Sequence, residues 1–391
     1  MDRTDHIYLV PGFLGFANLG RIAYFGHVRR ILSERLAALG LEPHIHIVGT
    51  PPTASLPARA ARLAEVIDAT ARRGGAPLHL IGHSSGGLDV RLLTAPGVAL
   101  PTALGVERLA ARVRTVVTVT TPHHGTPLAS FFTTLRGQQL MQLIALNTIY
   151  VLNFGHLPLA ALLWMGSLLV RLGSLVADSD LLDELFGRLL EDFTVRRRRA
   201  VRTLLRDIVR DQSLMLQLTP EAMEVFNASV LPRSGIRYGA VVAQAARPSL
   251  LSTLGVGLDP AAQATHALYS VLHRLIAAAP GRPSPELAPD QARALRRAYR
   301  AIPARDANDG LVPTLSQTWG HVVHAAVADH LDVLGHFRDA AHDPPHVDWL
   351  VTGSGFNRER FEALWADVVH FLVGHPPNRP KRARATGQPR S

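Results

Sequence analysis

Apolar positions in the first 120 residues fall into two alternating forms. Short continuous runs, rich in β-branched residues, read as strands: HIYLVPGF from position 6, EPHIHIVGT from 42, PLHLIGHS from 77 and RTVVTVTTP from 114. Between them, about Asn18 to Leu39, Leu56 to Arg72 and the residues after Ser85 repeat with helical period. Strands apolar on both faces, alternating with helices, predict a mostly parallel sheet flanked by helices. After Leu128 the alternation stops, and the chain through about Leu218 is helical in pattern and rich in Leu and Ala. Sheet-like sequence returns at IRYGAVVAQA (236 to 245) and HVVHAAVA (321 to 328), and NRERFEALWADVVHFLV (357 to 373) predicts a last amphipathic helix. Residues 1–127 and 219–374 are therefore expected to be two parts of one α/β core, with 128–218 a helical cap or lid and 375–391 a basic disordered tail. No internal repeat is visible.

The apolar share of 47% over 391 residues is enough to fill a large core. Cysteine is absent, which removes disulfides, thiolate metal sites and thiol nucleophiles, so any nucleophile is oxygen or nitrogen. The N-terminal stretch MDRTDHIYLV shows no signal-peptide pattern, and a cytoplasmic location is the expectation. The net charge of +10 is carried almost wholly by Arg, Lys381 being the only lysine. Arg379, Lys381, Arg382, Arg384 and Arg390 sit in the tail without an acidic residue or an aromatic. That pattern is a poor match to nucleic-acid recognition, and no nucleic-acid partner is expected.

One stretch carries chemistry. Gly82-His83-Ser84-Ser85-Gly86 is a G-x-S-x-G pattern at a predicted junction of strand and helix. In a nucleophile elbow the central serine sits in a tight, strained turn, and small residues two positions away let strand and helix approach. Ser84 is then the candidate nucleophile, with the backbone N–H of Ser85 at the new helix's N-terminus facing a developing oxyanion. A second N–H is required, and Val10-Pro11-Gly12-Phe13-Leu14-Gly15-Phe16 after the first strand makes Phe13 the candidate donor. A plain Gly-rich turn is the alternative in each case. Elbow enzymes keep the chain order Ser, acid, His, which Ser84, Asp309 and His330 obey. Asp306, His321 and His324 are rivals for the acid and the base.

LVPGFLGF, AYFG, LIGHSSGG, TVTTPHHGTPLA, LTPEAMEVFNA, NDGLVP and DHLDV occur in this order across residues 7 to 335. Together they resemble the bacterial true lipases, the family I triacylglycerol lipases. The resemblance implies an α/β-hydrolase fold and assigns the triad acid to Asp309 and the triad histidine to His330. It also implies a structural calcium held in part by Asp332, with Asp290 a partner by spacing alone, and no cofactor for the chemistry itself. Pro11-Gly12 stands where the family has His-Gly, and its disulfide has no counterpart here.

Three other features need a reading. From Leu140 to Ala177 the only formal charge is Arg171, but Gly155, Pro158, Gly166 and Gly173 interrupt the run, which favours an apolar cap or a buried helical hairpin over a membrane span. Arg198, Arg202, Arg206 and Arg210 recur every four residues, as a solvated face or a contact for anionic lipid headgroups. His336, Asp339, His342, Asp343, His346 and Asp348 crowd one stretch whose spacing matches no standard ligand pattern, so a polar loop is expected there. The whole reads as a serine carboxylic ester hydrolase, a lipase for water-insoluble acyl esters that binds lipid surfaces transiently through its cap. A soluble esterase, thioesterase or acyltransferase with the same triad, or a non-catalytic lipid-binding protein, is the alternative.

Overall fold

The structure, a computed structural model, describes residues 5–13, 15, 24–71, 75–155, 187–249, 256–279 and 284–374. The basic tail, the uncharged run from 156 to its end and the start of the first expected helix lie outside the described residues.

Six parallel strands form one sheet: β1 (His6–Val10), β2 (His44–Ile47), β3 (Leu78–His83), β4 (Val113–Val119), β5 (Arg237–Gln244) and β6 (His321–Val327), in the order β2-β1-β3-β4-β5-β6. The continuous apolar runs are explained by position, because β1 and β3 are buried along their whole length and β4 along all but Arg114. The edge strand β2 is only half-buried, and its histidines face partly outward. The first half of the core adds helices α1 (Gly26–Ala37), α2 (Leu56–Ala71), α3 (Ser85–Thr94) and α4 (Val106–Ala110). All ten residues of α3 are buried, so the chain that leaves β3 runs through the interior.

Beyond β4 come α5 (Pro127–Phe132), α6 (Leu135–Phe154), α7 (Val195–Arg210), α8 (Ser213–Gln217) and α9 (Pro220–Ser229), with no strand among the described residues of this segment. Thr134 caps α6 by accepting from the Gly137 N–H, and Gly155 ends it in the left-handed conformation. Helix α7 buries Val201, Leu204, Leu205 and Ile208, while Arg202, Arg206 and Arg210 are exposed. Arg198 departs from that stripe, being half-buried and donating to the Glu191 carbonyl at 3.1 Å. None of the described helices is long and apolar enough to cross a membrane. The second half of the core supplies α10 (Pro260–Ala277), α11 (Pro289–Tyr299) and α12 (Arg358–Val373).

The chain leaves β1 towards β2 on one side and returns to β3 on the other. The carboxyl ends of β1 and β3 thus flank the point where strand order reverses, which in open α/β sheets is the crevice for ligands.

Candidate active site

Ser84 is the single residue between β3 and α3. Its φ of 55° and ψ of −132° lie where a side chain is strained, at a cost of about 1–3 kcal/mol. Neighbouring bonds hold it there: Ser84 N–H donates to the Val119 carbonyl at 2.8 Å, and Gly87 N–H to the Ser84 carbonyl at 3.0 Å. The turn closes only because Gly82 faces the backbone of Gly86 and Gly86 faces that of Val10 and Pro11. A Cβ on Gly82 would stand 2.5 Å from the Gly86 carbonyl carbon and 2.6 Å from the Gly87 Cα, both rigid backbone atoms.

The loop after β1 packs onto this turn. A Cβ at Gly12 would lie 2.5 Å from the Ser84 Cβ and 3.0 Å from its Oγ, so only glycine lets the loop lie over the serine. Arg59, fully buried on α2, holds the loop from below: it donates to the Pro11 carbonyl at 2.7 Å, to the Pro51 carbonyl at 2.8 Å and to Asp89 on α3 at 2.8 Å. Burial raises the Asp89 carboxyl to about 6 against the pull of the Arg59 charge. Phe13, next in the loop, and Ser85, at the start of α3, are both buried.

Asp309 comes from the segment between α11 and β6, and His330 from the loop beyond β6. The His330 Nδ1 is 2.7 Å from the Asp309 Oδ2, and both side chains are buried. Asp309 accepts three further donors, the N–H groups of Leu311 at 2.9 Å and Val312 at 2.7 Å and the Gln317 amide at 3.1 Å. A buried carboxylate with four donors has its lone pairs satisfied without a cation. The rivals are engaged elsewhere. Asp306 pairs with Arg247, His321 with Asp290 at 3.5 Å, and His324 with Asp367 at 2.8 Å.

Ser84 and His330 line one apolar cavity of about 60 Å³ together with Phe13. Its far wall is built by the helical segment: Phe132 of α5, Met141 and Ile144 of α6, and Met215 of α8. Ser84, Asp309, His330, Phe13 and Ser85 are thus brought to one crevice at the ends of β1 and β3.

Sequence reading missed one connection. His83, beside the serine, bonds through Nε2 to the His330 carbonyl at 2.9 Å and through Nδ1 to the Tyr24 hydroxyl at 2.6 Å. A carbonyl only accepts, so Nε2 carries the proton and Nδ1 accepts from the phenol. Burial, reinforced by the nearby His330, pushes the His83 pKa well below its ordinary value and keeps the ring neutral. The phenol also bonds the Gly12 backbone, so a single chain of contacts spans from the loop after β1 to the backbone of His330. The AYFG stretch held the signal, but nothing in its pattern shows a partner 59 residues away.

A second buried carboxylate group lies next to His330. Oxygens of Asp329, Asp332 and Asp348 all lie within 4.8 Å of one another. Asp329 Oδ1 accepts from Leu331 N–H, Asp332 N–H and the Trp349 indole, whereas its Oδ2 is buried without a partner. Burial raises Asp329 to about 7, and burial with mutual repulsion raises Asp332 and Asp348 well above the carboxylate range. Several hard oxygen donors and an orphaned lone pair are what a calcium ion requires. Asp290 is not in this group: it stands at the start of α11 against His321.

The sheet order, the elbow after β3 and the crossing loops define an α/β-hydrolase fold. Lipase 1 from Pelosinus fermentans is similar to this chain over 94% of its length and 99% of that protein's, at 18% identity and a TM-score of 0.52. EstA from Clostridium botulinum is similar over 95% of this chain and 87% of its own, at 20% identity and a TM-score of 0.50. No protein-family model and no curated protein sequence matches the chain.

Proposed function

We propose that the protein is a serine carboxylic ester hydrolase, a lipase acting on water-insoluble acyl esters such as triacylglycerols. The observation that carries this reading is the strained Ser84 facing a cavity it shares with His330, whose far nitrogen is bonded to Asp309. His330 Nε2 takes the Ser84 proton as Oγ attacks the ester carbonyl, while Asp309 fixes the tautomer and stabilises the imidazolium. The N–H groups of Phe13 and Ser85 donate to the tetrahedral oxyanion. The alcohol departs with the proton from His330, and water then attacks the acyl-Ser84 ester by the same route in reverse.

The helical segment, with the cap role assigned to 128–218, supports the lipase reading. The cavity of about 60 Å³ that Ser84 and His330 share has room for a few waters and is too small for a long acyl chain. Productive binding of such a chain requires α5, α6 and α8 to move off the serine, and a lipid surface favours that open state by covering the apolar face it exposes. Asp329, Asp332 and Asp348 would hold a structural calcium, which supplies positive charge among the three carboxylates and takes no part in the chemistry.

A fluorophosphonate probe tests the core of this reading: labelling that maps to Ser84 and disappears in Ser84→Ala supports it, and an unlabelled wild-type protein refutes it. Hydrolysis of one ester across its solubility limit tests the cap. A jump in rate at the limit supports a lipase, and a smooth saturating curve with short esters preferred assigns a soluble esterase instead. Phe13→Leu keeps the backbone donor and most of kcat, while Phe13→Pro removes it and costs on the order of a hundredfold. Equal losses would move the oxyanion hole elsewhere.

A further inference from the structure

Three histidines that do not line the cavity of Ser84 come together beside α1. His27 lies on α1, and His342 and His346 lie on the loop beyond β6; one ring nitrogen of each is within 4.8 Å of the others'. We propose that His27, His342 and His346 form a binding site for a divalent first-row transition ion of the zinc class. The site is separate from the carboxylate group of Asp329, Asp332 and Asp348 and does not depend on the proposed ester hydrolysis.

Second contacts fix two of the rings in the ligating form. His346 Nδ1 is 2.6 Å from the Gly335 carbonyl, and His342 Nδ1 is 2.9 Å from the Pro344 carbonyl. Carbonyls only accept, so in both rings Nδ1 carries the proton and Nε2 presents its lone pair. An imidazole whose other N–H is tied to a backbone carbonyl is the arrangement metal-binding histidines share. No hydrogen bond engages the His27 ring among the described residues, so its nitrogens are not committed to another protein group.

The backbone is shaped to bring these rings together. Gly335, at a φ of 98°, packs against His27, where a Cβ would stand 2.7 Å from the histidine's own Cβ. Asp339 and His346 then exchange backbone hydrogen bonds at 3.3 and 3.0 Å, closing the loop back over α1. Two arginines reach this flank, each paired: Arg30 with Glu34 at 3.0 Å and Arg358 with Glu362 at 3.8 Å. Three neutral imidazoles suit zinc rather than calcium or magnesium, and the fourth position opens on a surface cleft that water can enter. His27 and His346 are stacked at 3.8 Å between centroids, so an ion about 2.0–2.1 Å from each nitrogen turns one ring out of the stack. Once bound, the ion staples α1 to the loop that begins five residues beyond His330.

The test uses the full chain, stripped with a chelator and kept in excess calcium so that the carboxylate group is saturated. Zinc is then added and its retention after gel filtration is measured, with cobalt as a spectroscopic stand-in. The expected result is one zinc per chain and the strong visible absorption of tetrahedral cobalt bound to nitrogen. His342→Ala, at a half-buried position, should keep the fold by circular dichroism and weaken zinc binding at least about tenfold, and His346→Asn likewise, whereas Asp332→Asn should leave it unchanged. No retained zinc in the wild-type protein overturns the proposal, as does binding in His342→Ala and His346→Asn equal to wild type.

Discussion

Asp309 precedes β6 and the Asp329–Asp332–Asp348 group follows it, and the two sets of carboxylates are compensated for lost water in different ways. Asp309 has four hydrogen-bond donors, one of them the His330 ring. The other three share few donors, leave one oxygen without a partner and hold their protons well above the usual range. A carboxylate that must keep one charge in one orientation is surrounded by fixed neutral donors, whereas a group that gathers three charges is stable only with protons or a cation. The two solutions meet at the loop beyond β6, where His330, bonded to Asp309, stands between Asp329 and Asp332 in sequence.

The largest expected effect separates the two by what each change breaks. Asp309→Asn should lower kcat about 10⁴-fold and leave the melting temperature close to wild type, measured with a soluble ester and by calorimetry. Asp332→Asn should do the reverse, leaving kcat within a few-fold while removing the response to calcium. If Asp309→Asn retains full activity, the acid is misassigned. Calcium at about 100 times its dissociation constant should add about 2.7 kcal/mol to wild-type stability, a rise of several degrees in melting temperature. An unchanged melting temperature with and without chelator would show that protons alone settle the three carboxylates.

A smaller effect comes from pH, and the two signs differ. For the carboxylate group the folded pKa values are raised, so the associated stability is present at acid pH and is lost as pH rises through about 7; calcium should therefore stabilise more at pH 8 than at pH 5. For the buried histidines the folded values are lowered by burial: His336 to about 4, and His83 and His123 well below 6.5. The unfolded chain takes up protons below about 6.5 that the folded chain refuses, so stability falls with pH, and His336 alone costs about 2 kcal/mol at pH 5. With calcium saturating, the melting temperature should drop steadily from pH 7 to pH 5. A flat profile would mean that these rings gain water or partners on protonation.

The sequence made the sheet legible because strands buried on both faces, such as Val113–Val119, spell themselves as unbroken β-branched runs. Ser84 stands out as a candidate because a strained turn between strand and helix demands glycines at fixed offsets, and Asp309 and His330 are candidates from the resemblance, with which chain order agrees; the structure puts those two side chains 2.7 Å apart. What escaped reading depends on distant pairs. The bond from Tyr24 to His83, the grip of Arg59 on Pro11, and the meeting of His27 with His342 and His346 join residues whose local patterns carry no mark of each other. The crowded stretch from His336 to Asp348, expected to be a polar loop, sends His342 and His346 to one cluster and Asp348 to another.

Arg59 also bears on the order in which the molecule assembles. Its guanidinium loses all contact with water only where Pro11 from the loop after β1, Pro51 from the segment after β2 and Asp89 from α3 are already in position. A lone cation buried with any of these missing is costly, so partly docked forms are penalised and the three segments lock in one concerted step. Native-state hydrogen exchange should find the amides of β1, α2 and α3 opening together at a single free energy, and Arg59→Met should split that unit, freeing the loop over Ser84 before the rest of the sheet unfolds.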